Sequence, residues 1–88
     1  MQPDTTFIPT SETRINIGRR IRMYRTRQGL SVRMLARMTG VDRTNIADIE
    51  SGLQNATVDT LTRLADGLGI ELGLFFFDED RIIPNDAN

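Results

Sequence analysis

The chain has 88 residues, 39% hydrophobic and 26% charged, with a net charge of −1, which makes one small domain with enough apolar material for a modest core. It contains no Cys and no His, so disulfides, thiolate metal sites, the commonest general base and the usual pH switch are excluded. No apolar run reaches membrane-spanning length and residues 1–9 lack the apolar centre of a signal peptide, so the expectation is a cytoplasmic protein with no membrane partner.

The charge is unevenly distributed. Through Arg43 there are nine Arg against three acids, a net of +6; from Thr44 onward two Arg face nine acids, a net of −7. All 11 basic residues are Arg, the cation that matches a phosphate bidentately and stays charged. The basic half therefore suits a nucleic-acid backbone, although a charged, solvated helix face is the plainer reading of the same residues.

Residues 1–10 read as a flexible arm, residues 11–77 as the folded domain and residues 78–88 as a polar tail. Thr10 or Ser11 can cap a first helix of about 17 residues ending near Gly29. Ile17, Ile21, Tyr24 and Gln28 share one face of it, and Arg25 lies on the flank of that face. A charge there is costly to bury unpaired. Glu50 lies on the matching flank of a later helix, four residues after Ile46, so the two are expected to form a structural ion pair.

Residues 31–52, SVRMLARMTGVDRTNIADIESG, have the grammar of two short helices joined by a tight turn. Ser31 caps the first, Leu35 and Met38 give it an apolar stripe, and Gly40 stops it. Asp42 caps the second, Ile46 and Ile49 face inward, and Gly52 ends it. This is the layout of a helix-turn-helix, whose second helix enters the DNA major groove. The outer face of that helix, residues 43–51, carries Arg43, Thr44, Ala47, Asp48 and Ser51. Arg suits guanine, Thr or Ala the thymine methyl, and Asp the cytosine amine.

After a loop over residues 53–56, Thr57 caps a further helix with Asp59 in its first turn and Leu61, Leu64, Ala65 and Leu68 as its apolar stripe; Gly69 closes it. The segment IELGLFFF, residues 70–77, is ambiguous. Its partial alternation suits a strand, which would have to pair across a dimer, and its length suits a short fifth helix. Leu72, Leu74, Phe75, Phe76 and Phe77 are the candidate dimer surface; completing the core of a single copy is the alternative.

Residues 17–76 resemble the phage-repressor, or Xre, family of helix-turn-helix domains. The carrying residues are Ile21, Arg22 and Arg25; Gly29, Leu30 and Ser31; Leu35 and Ala36; Gly40 and Val41; Ile46, Ile49, Glu50 and Gly52; and Leu61, Leu64, Ala65, Leu68, Gly69 and Ile70. The resemblance implies an all-α bundle of about five short helices that binds double-stranded DNA as a homodimer, as a repressor or autoregulator. By position, its base contacts fall on Arg43, Thr44, Ala47 and Asp48. Its phosphate contacts fall on Ser31, Val32 and Arg33 before the turn and on Ser51, Gln54 and Asn55 after it. Its buried ion pair falls on Arg25 and Glu50. Val32 departs from the Gln common at its position, Ala56 from a common Pro, and Asp48 from the usual cationic or polar residue. Antitoxins of toxin–antitoxin modules and controllers of restriction–modification systems look similar, so a protein partner such as a toxin is the alternative. No catalytic residue, cofactor or metal is expected.

Overall fold

The computed structural model describes residues 10–77. The arm and tail expected from the sequence lie outside the described residues, apart from Thr10, which opens the first helix. Four α-helices follow in order: α1 Thr10–Arg27, α2 Val32–Thr39, α3 Arg43–Glu50 and α4 Val58–Leu68. A single 3-10 turn, Leu72–Phe75, follows α4 near the end of the described residues. There is no strand among the described residues, so of the two readings left open for residues 71–77 the helical one is adopted.

The helix boundaries are set by short polar side chains. The Ser31 hydroxyl accepts from the Met34 N–H at 3.0 Å, the Asp42 carboxylate accepts from the N–H groups of Thr44 and Asn45, and the Thr57 hydroxyl accepts from the Thr60 N–H. Each satisfies a donor that a helix start leaves without a partner. Gly40, at φ 76°, turns the chain between α2 and α3 in the left-handed region that a Cβ disfavours. The expected stop at Gly52 is displaced slightly: α3 ends at Glu50, Ser51 is its cap and Gly52 follows.

The core is built from Ile21 of α1, Leu35 of α2, Val41 of the turn, Ile46 and Ile49 of α3, Leu61, Leu64, Ala65 and Leu68 of α4, and Phe75. Two glycines permit the crossings. A methyl at Gly18 of α1 would overlap the carbonyl of Ile49, so α1 and α3 meet backbone to backbone there. A methyl at Gly67 of α4 would overlap the Thr39 side chain of α2. Gln28 donates from Nε2 to the Leu68 carbonyl at 2.7 Å and joins the ends of α1 and α4.

Two expectations are corrected. Met38 is not inward; it is 53% exposed, and the inner side of α2 is made by Leu35 with Val32 and Ala36 packed against the core. Three residues after Leu35 is also one step towards the outside, and the smaller Thr39 faces α4 instead. Among the phenylalanines, Phe75 is fully buried and Leu74 nearly so, whereas Phe76 and Phe77 are exposed. No helix among the described residues is long and apolar enough to cross a membrane.

Candidate nucleic-acid interface

The turn between α2 and α3 is fixed by hydrogen bonds as well as by Gly40. The Thr39 hydroxyl donates to the Leu35 carbonyl at 2.8 Å and accepts from the Val41 N–H at 3.2 Å. Gly40 donates its N–H to the Ala36 carbonyl, and Val41 is buried. With Asp42 tied to the first turn of α3, few torsions remain free, so α3 is held at a set angle to α2.

The inner side of α3 is clamped. Ile46 and Ile49 are buried in the core. Glu50 accepts from Arg25 twice, Nε to Oε2 at 2.6 Å and Nη2 to Oε1 at 2.9 Å. The third guanidinium nitrogen of Arg25, Nη1, donates to the Leu30 carbonyl at 2.7 Å. The two side chains are only 11% and 7% exposed. The bond to Glu50 raises the Arg25 pKa above its ordinary value against the opposing effect of burial, so the ion pair favours the charged guanidinium. One guanidinium thus joins α1, the loop before α2 and the end of α3.

The outer side of α3 is open. Arg43, Thr44, Ala47 and Ser51 are exposed, and Asp48 is half-buried. The Ser51 hydroxyl donates to the Ala47 carbonyl at 3.0 Å, and its backbone N–H is also engaged. It therefore offers no free donor in this arrangement. Before the turn, Ser31 and Arg33 are exposed. Val32 packs partly against the core, which leaves its backbone N–H, at the start of α2, as its only polar group on that side. After α3, Gln54 and Asn55 are exposed and border a cleft of about 120 Å³ that also includes Arg14 of α1. Arg14 reaches the Gly52 carbonyl from Nε at 3.5 Å.

Of the sequence-predicted DNA contacts, Ser31, Arg33, Arg43, Thr44, Ala47, Ser51, Gln54 and Asn55 are exposed and Val32 and Asp48 are half-buried. Arg33 and Arg43 line one groove at the turn, and Gln54 and Asn55 line another cleft beside α1. The side chains of Arg25 and Glu50 are nearly buried. Sequence reasoning did not single out Arg37, which joins Arg33 and Arg43 along a shallow groove of about 490 Å³ at the turn. The spacing was visible: Arg33 and Arg37 are four apart on α2 and must share a face.

A helix-turn-helix family profile matches residues 21–75, which are the described chain from the middle of α1 to the buried Phe75. The chain belongs to the helix-turn-helix family. It is 39% identical over 61 residues to the HTH-type transcriptional regulator SlrR of Bacillus subtilis, a match that covers 68% of this chain and 40% of that protein. The chain therefore accounts for only about two fifths of the length of that relative. Among solved structures, the restriction-modification controller protein C.AhdI from Aeromonas hydrophila superposes with a TM-score of 0.72 at 34% identity, over 74% of this chain and 98% of the controller. An HTH_3 family transcriptional regulator from Vibrio cholerae superposes with a TM-score of 0.77 at 27% identity, over 83% of this chain and 41% of the regulator.

Proposed function

We propose that this protein is a sequence-specific transcriptional regulator that binds double-stranded DNA as a homodimer and represses the promoters it occupies, its own among them. The observation that carries the reading is the two-sided character of α3. Its inner side is fixed by Ile46, Ile49 and the Arg25–Glu50 pair, and its outer side presents a guanidinium, a hydroxyl, a methyl and a carboxylate on less than three turns.

In this reading α3 enters the major groove. Arg43 pairs with guanine, Thr44 and Ala47 meet thymine methyl groups, and Asp48 accepts from a cytosine amine. Ser31, Arg33 and the Val32 N–H hold the backbone on one side, and Gln54 and Asn55 hold it on the other; these contacts position the helix without reading sequence. Ser51 stays bonded within α3 and adds little. The exposed Phe76 and Phe77, 43% and 49% accessible, form the dimer surface with half-buried Leu72 at its edge, while Leu74 and Phe75 support them from beneath. The protein acts by occupancy and not as an enzyme.

A second reading concerns which promoter is bound. The match to the C.AhdI controller covers 98% of that protein, which supports a controller role in a restriction–modification system over an antitoxin role. A restriction or methyltransferase gene beside the coding sequence would favour the controller, and a toxin gene the antitoxin.

The test is selection from a random duplex pool with the wild type and with Arg43→Ala. The wild type should enrich paired half-sites whose centres lie about one helical turn, ~34 Å, apart. Arg43→Ala should lose preference at one position of each half-site and bind about 1–3 kcal/mol more weakly. A pool left unenriched by the folded wild type would contradict the reading.

A further inference from the structure

We infer that the acidic run Asp78, Glu79 and Asp80, which follows the described residues, docks within its own chain on the groove of α1 lined by Asn16, Arg19, Arg20 and Met23.

That groove is an open channel of about 240 Å³. Asn16 and Arg19 are exposed, and Arg20 and Met23 are half-buried. The helix itself supplies six Arg and a single acid, Glu12, which lies in its first turn. Two neighbouring guanidiniums on a half-buried methionine therefore call for carboxylates or phosphates from elsewhere.

Position decides between the two anions. Gly18 is where α1 touches the backbone of α3. At 100° per residue, Asn16 and Arg20 each lie about 200° round the helix from Gly18, and Met23 about 140°. The groove thus faces away from α3 and from any duplex that α3 enters. On its other flank it meets a second groove, lined by Ile17, Phe76, Phe77 and, again, Asn16. The described residues therefore end at Phe77, beside the mouth of the arginine groove.

The next three residues in the sequence are Asp78, Glu79 and Asp80. Extended, at about 3.3 Å each, they span roughly 10 Å. Asn16 to Met23 is seven residues of helix, roughly 10.5 Å. The acidic run thus matches the groove in length and opposes Arg19 and Arg20 in sign. Arg81 follows and ends the run of acids. An exposed ion pair is weak by itself, but here no linker separates the acids from Phe77, so the contact forms at a high effective concentration.

The test uses the full chain. It has no Cys, so Arg81→Cys accepts a single nitroxide label beside the acidic run. With the chain isotopically labelled, the label should broaden the amide signals of residues 16–23 more than those of α2. The broadening should fade in about 1 M salt, where the screening length is about 3 Å, and in the neutralised variant Asp78→Asn/Glu79→Gln/Asp80→Asn. Melting gives the energetic counterpart. The neutralised variant and Arg19→Gln/Arg20→Gln should each lower the melting temperature by about 2–8 °C at low salt, and combining them should lower it no further. Losses that simply add would overturn the proposal, because the two sets of residues would then act apart. Broadening that ignores both salt and neutralisation would overturn it as well. Broadening of an isotopically labelled chain that carries no nitroxide, on mixing with the nitroxide-bearing chain, would place the run on a second copy and refute docking within one chain. None of these outcomes depends on whether α3 binds DNA.

Discussion

Replacing Arg25 by Ala should nearly unfold the domain without touching its outer face. The substitution removes three hydrogen bonds, two to Glu50 and one to the Leu30 carbonyl. It also strands the Glu50 carboxylate, whose side chain is only 7% exposed. Removing one partner of a buried ion pair costs about 3–5 kcal/mol, mostly for the charge left behind. At roughly 0.05–0.15 kcal/mol per residue, a chain of this size has about 4–13 kcal/mol in all, so the loss is a large share of the total. At about 4–8 °C per kcal/mol for a domain of this length, the melting temperature should fall by at least ~12 °C. Urea unfolding followed by circular dichroism gives the free energy directly. Substituting both partners by apolar residues, Arg25→Met with Glu50→Leu, should recover most of the loss, because no charge is then left unpaired. The raised pKa of Arg25 sets the sign of the pH effect. Such a group contributes its full stability below its unfolded value and loses it only as the pH rises through the folded one, so stability from this source should be constant from neutral to moderately alkaline pH. A single Arg25→Ala variant within about 0.5 kcal/mol of the wild type, the range of ordinary surface changes, would refute the argument that this pair holds α3 in place.

Other substitutions probe the remaining supports. Gly18→Ala should destabilise the domain by about 1–3 kcal/mol in the same urea assay, since the backbone carbonyls of α3 cannot move aside as a flexible side chain would. Asp42→Ala should cost about 1 kcal/mol by removing the cap of α3, and Asp42→Asn should restore most of it. The double variant Phe76→Ser/Phe77→Ser should leave melting at low concentration little changed while shifting sedimentation from dimer to monomer. A wild type that sediments as a monomer at all concentrations would remove the basis for a dimer surface there.

Local chemistry made part of this fold legible in the sequence. Ser31, Asp42 and Thr57 are caps because each lies just before an apolar repeat, and Gly40 is a stop because the turn needs a left-handed residue. The directions of Ile46 and Ile49 follow from the helical period alone, as do those of Arg43, Thr44 and Ala47 on the other side. What was not legible depends on contacts between elements. Gly18 and Gly67 look like weak points in helices until α3 and α2 are seen to press on them. Met38 fits an inward stripe as well as an outward one, and only the position of α4 decides between them. Three consecutive phenylalanines carry no period, so the burial of Phe75 and the exposure of Phe76 and Phe77 could not be separated before the 3-10 turn was seen. At the candidate interface no residue pattern signals that Ser51 is committed to the Ala47 carbonyl, or that Val32 is turned partly inward. The third partner of Arg25, the Leu30 carbonyl, belongs to a loop whose course no pattern foretold.

Selective binding to DNA is tested by comparing the full chain's affinity for duplex from upstream of its own gene with that for random duplex of equal length at two salt concentrations. Tight binding to the upstream duplex, weaker binding to the random one, and a loss of affinity for both as salt rises are expected. Equal and weak affinity for the two duplexes from a folded protein would contradict it.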